Sequence, residues 1–167
     1  MNLARQTKIV EKAGLHLRKV YFSPEGTAIA CSKILNVEHS DTAIAVIHMD
    51  SSFTTFQVIQ RSKLVFVRGI SIGAEQLIQE KDVYAERFMD ELSKSMESYT
   101  ADEAGSAVTQ SVLTGILGEL SDLDELFREA LHVPIRHQTY FNYFAISSGA
   151  RAVAASSKMV SFFSVIA

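Results

Sequence analysis

Between Thr42 and Gly73 the chain reads TAIAVIHMDSSFTTFQVIQRSKLVFVRGISIG, and this stretch constrains the fold more than any other. An apolar run ends at Asp50, the polar corner Ser51-Ser52 follows, and Thr54 to Ile59 leaves as a second run rich in β-branched and aromatic residues. Such side chains fit a pleated, half-buried surface, whereas Asp and Ser bond to nearby backbone and close turns. A further turn at Gln60 to Lys63 returns the chain through Leu64, Phe66 and Arg68. The segment therefore predicts three strands with an acidic turn between the first two.

Helical periodicity frames this meander on both sides. Leu3, Ile9, Val10 and Ala13 among charged residues predict a first helix stopped by Gly14. Leu17 to Phe22 reads as a short strand. Ser23-Pro24-Glu25 reads as a helix start with Ser23 as cap and Pro24 at the first helical position, the helix running to about Val37. The polar link Glu38 to Asp41 is the expected domain boundary, dividing residues 1–38 from 42–167. After Gly73, Ala85, Phe88, Leu92, Met96 and Tyr99 recur at spacings of three and four and give one apolar stripe on a long helix. Val108 to Thr114 predicts a buried strand. Ser121 is the expected cap of a helix whose inward face holds Leu123, Leu126, Phe127, Ala130 and Leu131. Pro134 opens a short edge strand, His137 to Tyr143 a loop or helical turn, and Lys158 to Ala167 an apolar helix.

Composition bounds the class. With 167 residues and 47% hydrophobic content the chain can bury the core of one ordinary domain, or of one domain plus a fragment, and the latter is expected. The net charge of −3, with both signs interspersed, leaves no basic stripe for a phosphate backbone, which argues against a nucleic-acid partner. The single Cys31 has no internal disulfide partner and sits in the apolar stretch Ala28-Ile29-Ala30-Cys31, as a small buried thiol in a reducing compartment would. Met1 to Gly14 is too charged for a signal peptide, and no apolar run approaches the ~20 residues of a membrane span. A cytoplasmic protein is the expectation.

Few residues group into recognisable chemistry. His48 and Asp50 share a strand face by the period of two, but a zinc site needs a further ligand that nothing nearby supplies. Ser147-Ser148-Gly149 lacks the glycine that precedes the serine of a nucleophile elbow. Asp90-Glu91 and Asp122-Asp124-Glu125 fall on the helix faces opposite Phe88 and Leu126 and read as solvated surface. Thr54 and Thr55 fit as strand formers and Asp50 as a turn former.

The order of these landmarks resembles the C-terminal half of PilM-type type IV pilus assembly proteins, within the actin-like ATPase superfamily that includes the FtsA-related proteins. ARQTKIVEKAGLHLRKVYFSPEGTAIA is similar to the end of that family's first domain, followed by the three strands, Ile72-Gly73, a long helix, Val112-Leu113-Thr114-Gly115, the helix Leu120 to Leu131 and Val133-Pro134-Ile135. The resemblance implies an α/β, actin-like (ribonuclease H-like) domain with a mixed sheet, ordered β-β-β-α-β-α-β-α, after a helix-strand-helix remnant of a first domain. It makes Asp50, Ser51, Ser52 and Thr54 the counterpart of one phosphate loop, and Thr114-Gly115-Ile116-Leu117-Gly118 the counterpart of the adenosine loop. Both depart from the family pattern. Ser52 adds a Cβ where a glycine lets backbone approach phosphate, and Ile116 and Leu117 fill what would be a flat glycine surface between Gly115 and Gly118. The family's first phosphate loop would lie before the start of this chain. The implied function is a non-catalytic cytoplasmic scaffold of a pilus or secretion machine, without a cofactor, that docks the cytoplasmic segment of an inner-membrane assembly protein. A homo-oligomer is expected from the apolar residues Ile29, Cys31 and Leu35 and Met159, Val160, Phe162, Phe163, Val165 and Ile166, which a missing domain would otherwise cover. The alternatives are one domain of a working ATP-binding actin-like protein, with ATP and Mg²⁺ held only together with a missing domain, and a sugar- or acetate-kinase-type fragment.

Overall fold

In a computed structural model the described residues are 3–20, 22–37, 39–101, 106–115 and 123–137. The predicted meander is present as β1 (Ala43–Met49), β2 (Thr54–Gln60) and β3 (Lys63–Ile70). Both junctions are antiparallel, with Ile47 opposite Phe56 and Val58 opposite Phe66. Arg61 and Ser62 both take positive φ (49° and 59°) in the β2–β3 link, the geometry that matches a two-residue turn to strand twist. β4 (Val108–Gly115) runs parallel to β1, and β5 (Ile135–His137) parallel to β4, so the mixed sheet has the order β3-β2-β1-β4-β5.

Every residue of β1 is buried, because both sheet faces are covered. One face carries Ala43, Ala45, Ile47, Met49, Phe56, Val58 and Leu113 and packs against α3 (Ala74–Gln79), α4 (Lys81–Thr100) and α5 (Asp124–Leu131). The predicted stripe is the one used: Ala85, Phe88, Leu92 and Tyr99 are buried, and Met96 packs at the edge. On α5, Phe127 and Leu131 are buried and the Phe127 ring meets Phe88 edge-on at 5.7 Å. Ser93 donates to the Ala130 carbonyl (3.0 Å) and Arg68 pairs with Glu91 (3.1 Å), which fixes α4 against α5 and β3. The long helix foreseen after Gly73 is two helices, since Glu80 leaves helical geometry (φ −137°, ψ 50°) between α3 and α4.

The other face carries Ile44, Val46, Ile59 and Val112 and is covered by α2 (Ser23–Ile34) through Ala28, Ala30 and Cys31, with Ile34, Leu35 and Val37 at its border. Cys31 is fully buried, whereas Ile29 is exposed and does not dock the helix. The cap of α2 is Phe22 rather than Ser23, and its amide donates to the Glu25 carboxylate (3.4 Å).

A helix α1 (Leu3–Lys12) precedes α2 and ends before Gly14 at φ +75°, but it buries none of its residues. The expected strand at Leu17 to Phe22 is not formed at the described residues 17–20 and 22. A strand is stable only when its N–H and C=O groups pair in a ladder, and among the described residues the sheet's strands pair with one another and not with this segment. The link before β1 is tied down: Gln60 donates to the Asp41 carbonyl (2.7 Å) and Arg61 pairs with the Asp41 carboxylate. Ser121, Asp122, Asn142, Tyr143, Ser147-Ser148-Gly149 and Lys158 to Ala167 lie outside the described residues.

Candidate functional site at the carboxyl ends of β1 and β4

The parallel register sets Met49 beside Gly115, so the Asp50 turn and the end of β4 lie together at one end of the sheet. Gly115 has φ +94°, and a Cβ there would stand 1.9 Å from the Met49 carbonyl oxygen. Only glycine fits a left-handed bend against neighbouring backbone. The sequence expectation placed Asp50, Ser51 and Gly115 in two loops of one site, and the fold does bring them side by side. Gly118 lies outside the described residues.

Internal bonds close the Asp50 turn. The Asp50 amide donates to the Phe53 carbonyl (2.9 Å) and the Ser51 amide to Asp50 Oδ1 (2.7 Å). The Asp50 and Ser51 carbonyls accept the first amides of α3, from Ala74 and Glu75, both at 2.9 Å. Ser51 Oγ donates to Glu75 Oε2 (3.2 Å). A Cβ on Gly73 would meet the Phe53 nitrogen at 2.4 Å and the Ser51 oxygen at 2.5 Å, so turn and helix start are in backbone contact. Ser52 is exposed and its φ is not positive.

Thr54 is turned away from this site. Its side chain is buried, on the same side of β2 as the core residues Phe56 and Val58, and its hydroxyl donates to the Ile72 carbonyl at 2.8 Å. That hydroxyl secures the return of β3 into α3.

On the opposite side of the same strands a cavity of about 460 Å³ opens between the start of α2 and the sheet. Phe22, Ser23, Pro24 and Thr27 form one wall, and His48 and Asp50 of the β1 end, Phe53, Thr55 and Gln57 of β2, and Val67 and Gly69 of β3 form the rest. Phe22, Phe53 and Val67 are 56%, 45% and 38% exposed, giving the mouth an apolar rim. His48, only 6% exposed, makes a 2.8 Å hydrogen bond through Nδ1 to Thr114 Oγ1 on β4. Burial lowers the His48 pKa from its ordinary 6.5, and the Asp50 carboxylate opposes that shift, so the ring favours its neutral form. Gln57 donates through Nε2 to Thr55 Oγ1 (3.1 Å), while its Oε1 is buried and has no hydrogen-bond partner among the described residues.

Thr55 and Gln57 are the site residues that sequence reasoning missed. Strand parity carried the signal: Thr55 lies opposite His48 in the β1–β2 ladder, and Gln57 is the polar residue within Phe56 to Ile59. Among the described residues, no three His, Cys, Asp or Glu side chains are grouped to hold a metal ion, and no helix is long and apolar enough to cross a membrane.

No protein-family model matches the chain, and no curated protein matches it in sequence. Solved structures do match in fold. The chain superposes on a chain of the PilM-PilN type IV pilus biogenesis complex with a TM-score of 0.72 over 98% of its own length, at 16% identity, and covers 55% of that chain. It also overlaps the ethanolamine utilization protein EutJ from Carboxydothermus hydrogenoformans (TM-score 0.48, 13% identity, 94% of this chain and 60% of that one). An archaeal actin homolog overlaps less of it (TM-score 0.47, 14% identity, 71% of this chain and 50% of that one). This chain, spanning about half the length of its PilM–PilN neighbour, thus has a PilM-like α/β fold built on a five-stranded mixed sheet.

Proposed function

We propose that the chain is a non-catalytic scaffold module of a pilus or secretion assembly machine, working on the cytoplasmic side and docking the cytoplasmic segment of an inner-membrane protein. The observation that carries this reading is the closed Asp50 turn. The Asp50 and Ser51 amides are spent inside the turn, and both carbonyls are spent on α3. A phosphate loop works by pointing free backbone amides at the anion, and these two point inward. The likeness to a chain of a pilus complex with a second protein supports a partner-binding role.

Calorimetric titration with Mg²⁺ and ATP should give no heat, and fluorescence anisotropy should report binding of synthetic peptides from the cytoplasmic segments of inner-membrane pilus proteins. A micromolar ATP isotherm lost in Asp50→Ala would overturn the reading.

One observation favours the ATP-binding alternative. The Asp50 turn and the Gly115 bend sit side by side at the carboxyl ends of adjacent parallel strands, where open α/β sheets hold their ligands. The same titration decides between the two.

The division into residues 1–38 and 42–167 predicts first proteolytic cleavage in the link 38–41, and earlier cleavage inside 42–73 would contradict it. Self-association is supported by α1, whose Leu3 and Ile9 are exposed on a helix that buries nothing. Light scattering that returns a monomer mass at tens of micromolar would remove it.

A further inference from the structure

Resting on the scaffold reading above, we propose that the cavity between the start of α2 and the sheet receives a basic side chain, arginine or lysine, from the docked cytoplasmic segment. The cavity's polar groups offer acceptors. Asp50 Oδ1 accepts the Ser51 amide, and its second carboxylate oxygen carries no hydrogen bond among the described residues. Thr55 directs its hydroxyl to the His48 carbonyl (3.5 Å), so Gln57 must present its NH₂ to Thr55 and leave Oε1 as the unpaired end. A buried acceptor without a donor is costly, and a ligand that brings N–H groups relieves it.

The charge and shape agree with this occupant. Among the described residues Asp50 is the charged side chain lining the cavity, and neither Lys nor Arg lines it. An anion entering would face a carboxylate and a carbonyl oxygen. The exposed rim of Phe22, Phe53 and Val67 suits the methylene stem of a long basic side chain, and the aromatic rings suit its cationic head. A cytoplasmic segment next to a membrane helix is where lysine and arginine are enriched, so the proposed partner carries the matching group.

The test is an NMR titration of the ¹⁵N-labelled full chain with N-acetyl-arginine amide, with N-acetyl-citrulline amide as its neutral isostere. The expected result is saturable shifts at the Asp50, Thr55 and Gln57 amides with arginine, and binding weaker by about tenfold or more with citrulline, as for loss of a charge-assisted bond. Asp50→Asn keeps the acceptor for the Ser51 amide and removes the charge, and Gln57→Leu removes the unpaired carbonyl. Each should weaken arginine binding by about tenfold, with thermal melts verifying that both variants fold. Equal shifts from citrulline, or inorganic phosphate saturating the same amides, would overturn the assignment. A partner peptide that binds wild type, Asp50→Asn and Gln57→Leu with equal affinity would also overturn it while leaving the scaffold reading standing. An ATP isotherm would instead remove the scaffold reading, whatever arginine does.

Discussion

The two faces of the sheet are built to different standards. Against α3, α4 and α5 the strands present a mainly apolar surface, and the polar Thr54 and Ser111 on that side are satisfied by the Ile72 and Pro134 carbonyls. Against α2 the apolar contact is confined to the half of the sheet around Ile44, Val46, Ile59 and Val112, and the other half holds a cavity with a buried histidine and an unpaired carboxamide oxygen. A face that only had to stabilise the fold would have no use for such groups, because burying polar atoms without partners is unfavourable. The difference teaches that buried polar groups are satisfied within the fold on one face, whereas on the other Gln57 Oε1 is left for the occupant proposed above.

Truncation should expose that division most sharply. Phe88→Ala, at a fully buried ring in contact with Phe127, should cost about 3–5 kcal/mol in denaturant unfolding. Ile34→Ala, at the partly buried border of the α2 face, should cost about 1–2 kcal/mol. Equal losses would break the comparison. Gly73→Ala forces a methyl group into the Ser51–Phe53 backbone and should cost about 2–3 kcal/mol, because the turn then parts from α3.

Polar-to-apolar swaps should differ in sign between the faces. Thr54→Val deprives the Ile72 carbonyl of its buried donor and should destabilise by about 1–2 kcal/mol. Gln57→Leu removes a buried acceptor that has no donor and should stabilise by about 1 kcal/mol. If both swaps destabilise alike, the α2 face is packed for stability after all.

The smallest effect is in pH. Burial depresses the His48 pKa in the folded chain, so below its ordinary value of 6.5 the unfolded chain takes up a proton that the folded chain resists. The stability from this group is present above about pH 6.5 and is lost as pH falls from there through the depressed folded pKa, by at most about 1.4 kcal/mol per unit. Urea melts of wild type and His48→Asn across this range should diverge in slope, and parallel curves would show that His48 is not held neutral.

Much of the architecture was legible because it follows from periodicity. The stripe Ala85, Phe88, Leu92, Met96 and Tyr99 names its own buried face, and the β-branched and aromatic run of β2 marks a strand that is buried along most of its length. Leu17 to Phe22 misled because strand propensity says nothing of whether a neighbour exists to complete the ladder. Glu80 misled because a backbone kink without Gly or Pro leaves no compositional mark. Within the site, Asp50 and Gly115 were readable as turn residues, and their adjacency followed once β1 and β4 paired. Thr54 and Thr55 were indistinguishable by type, and only the register decided that Thr54 braces the core while Thr55 faces the cavity.

The pairing of β1 with β4 also sets a schedule. Strands β1, β2 and β3 follow one another through short turns, so their ladders close small loops and can form early. His48 and Thr114, whose side chains bond across β1 and β4, are 66 positions apart, and a parallel pairing at that separation must first meet the entropy of closing a long loop. The Gly115 bend reaches the Asp50 turn only at that step. A ribosome-bound or partly refolded chain would therefore hold the Asp50 corner well before its neighbour arrives, and burial of His48 against Thr114 should lag behind the appearance of β structure in refolding experiments.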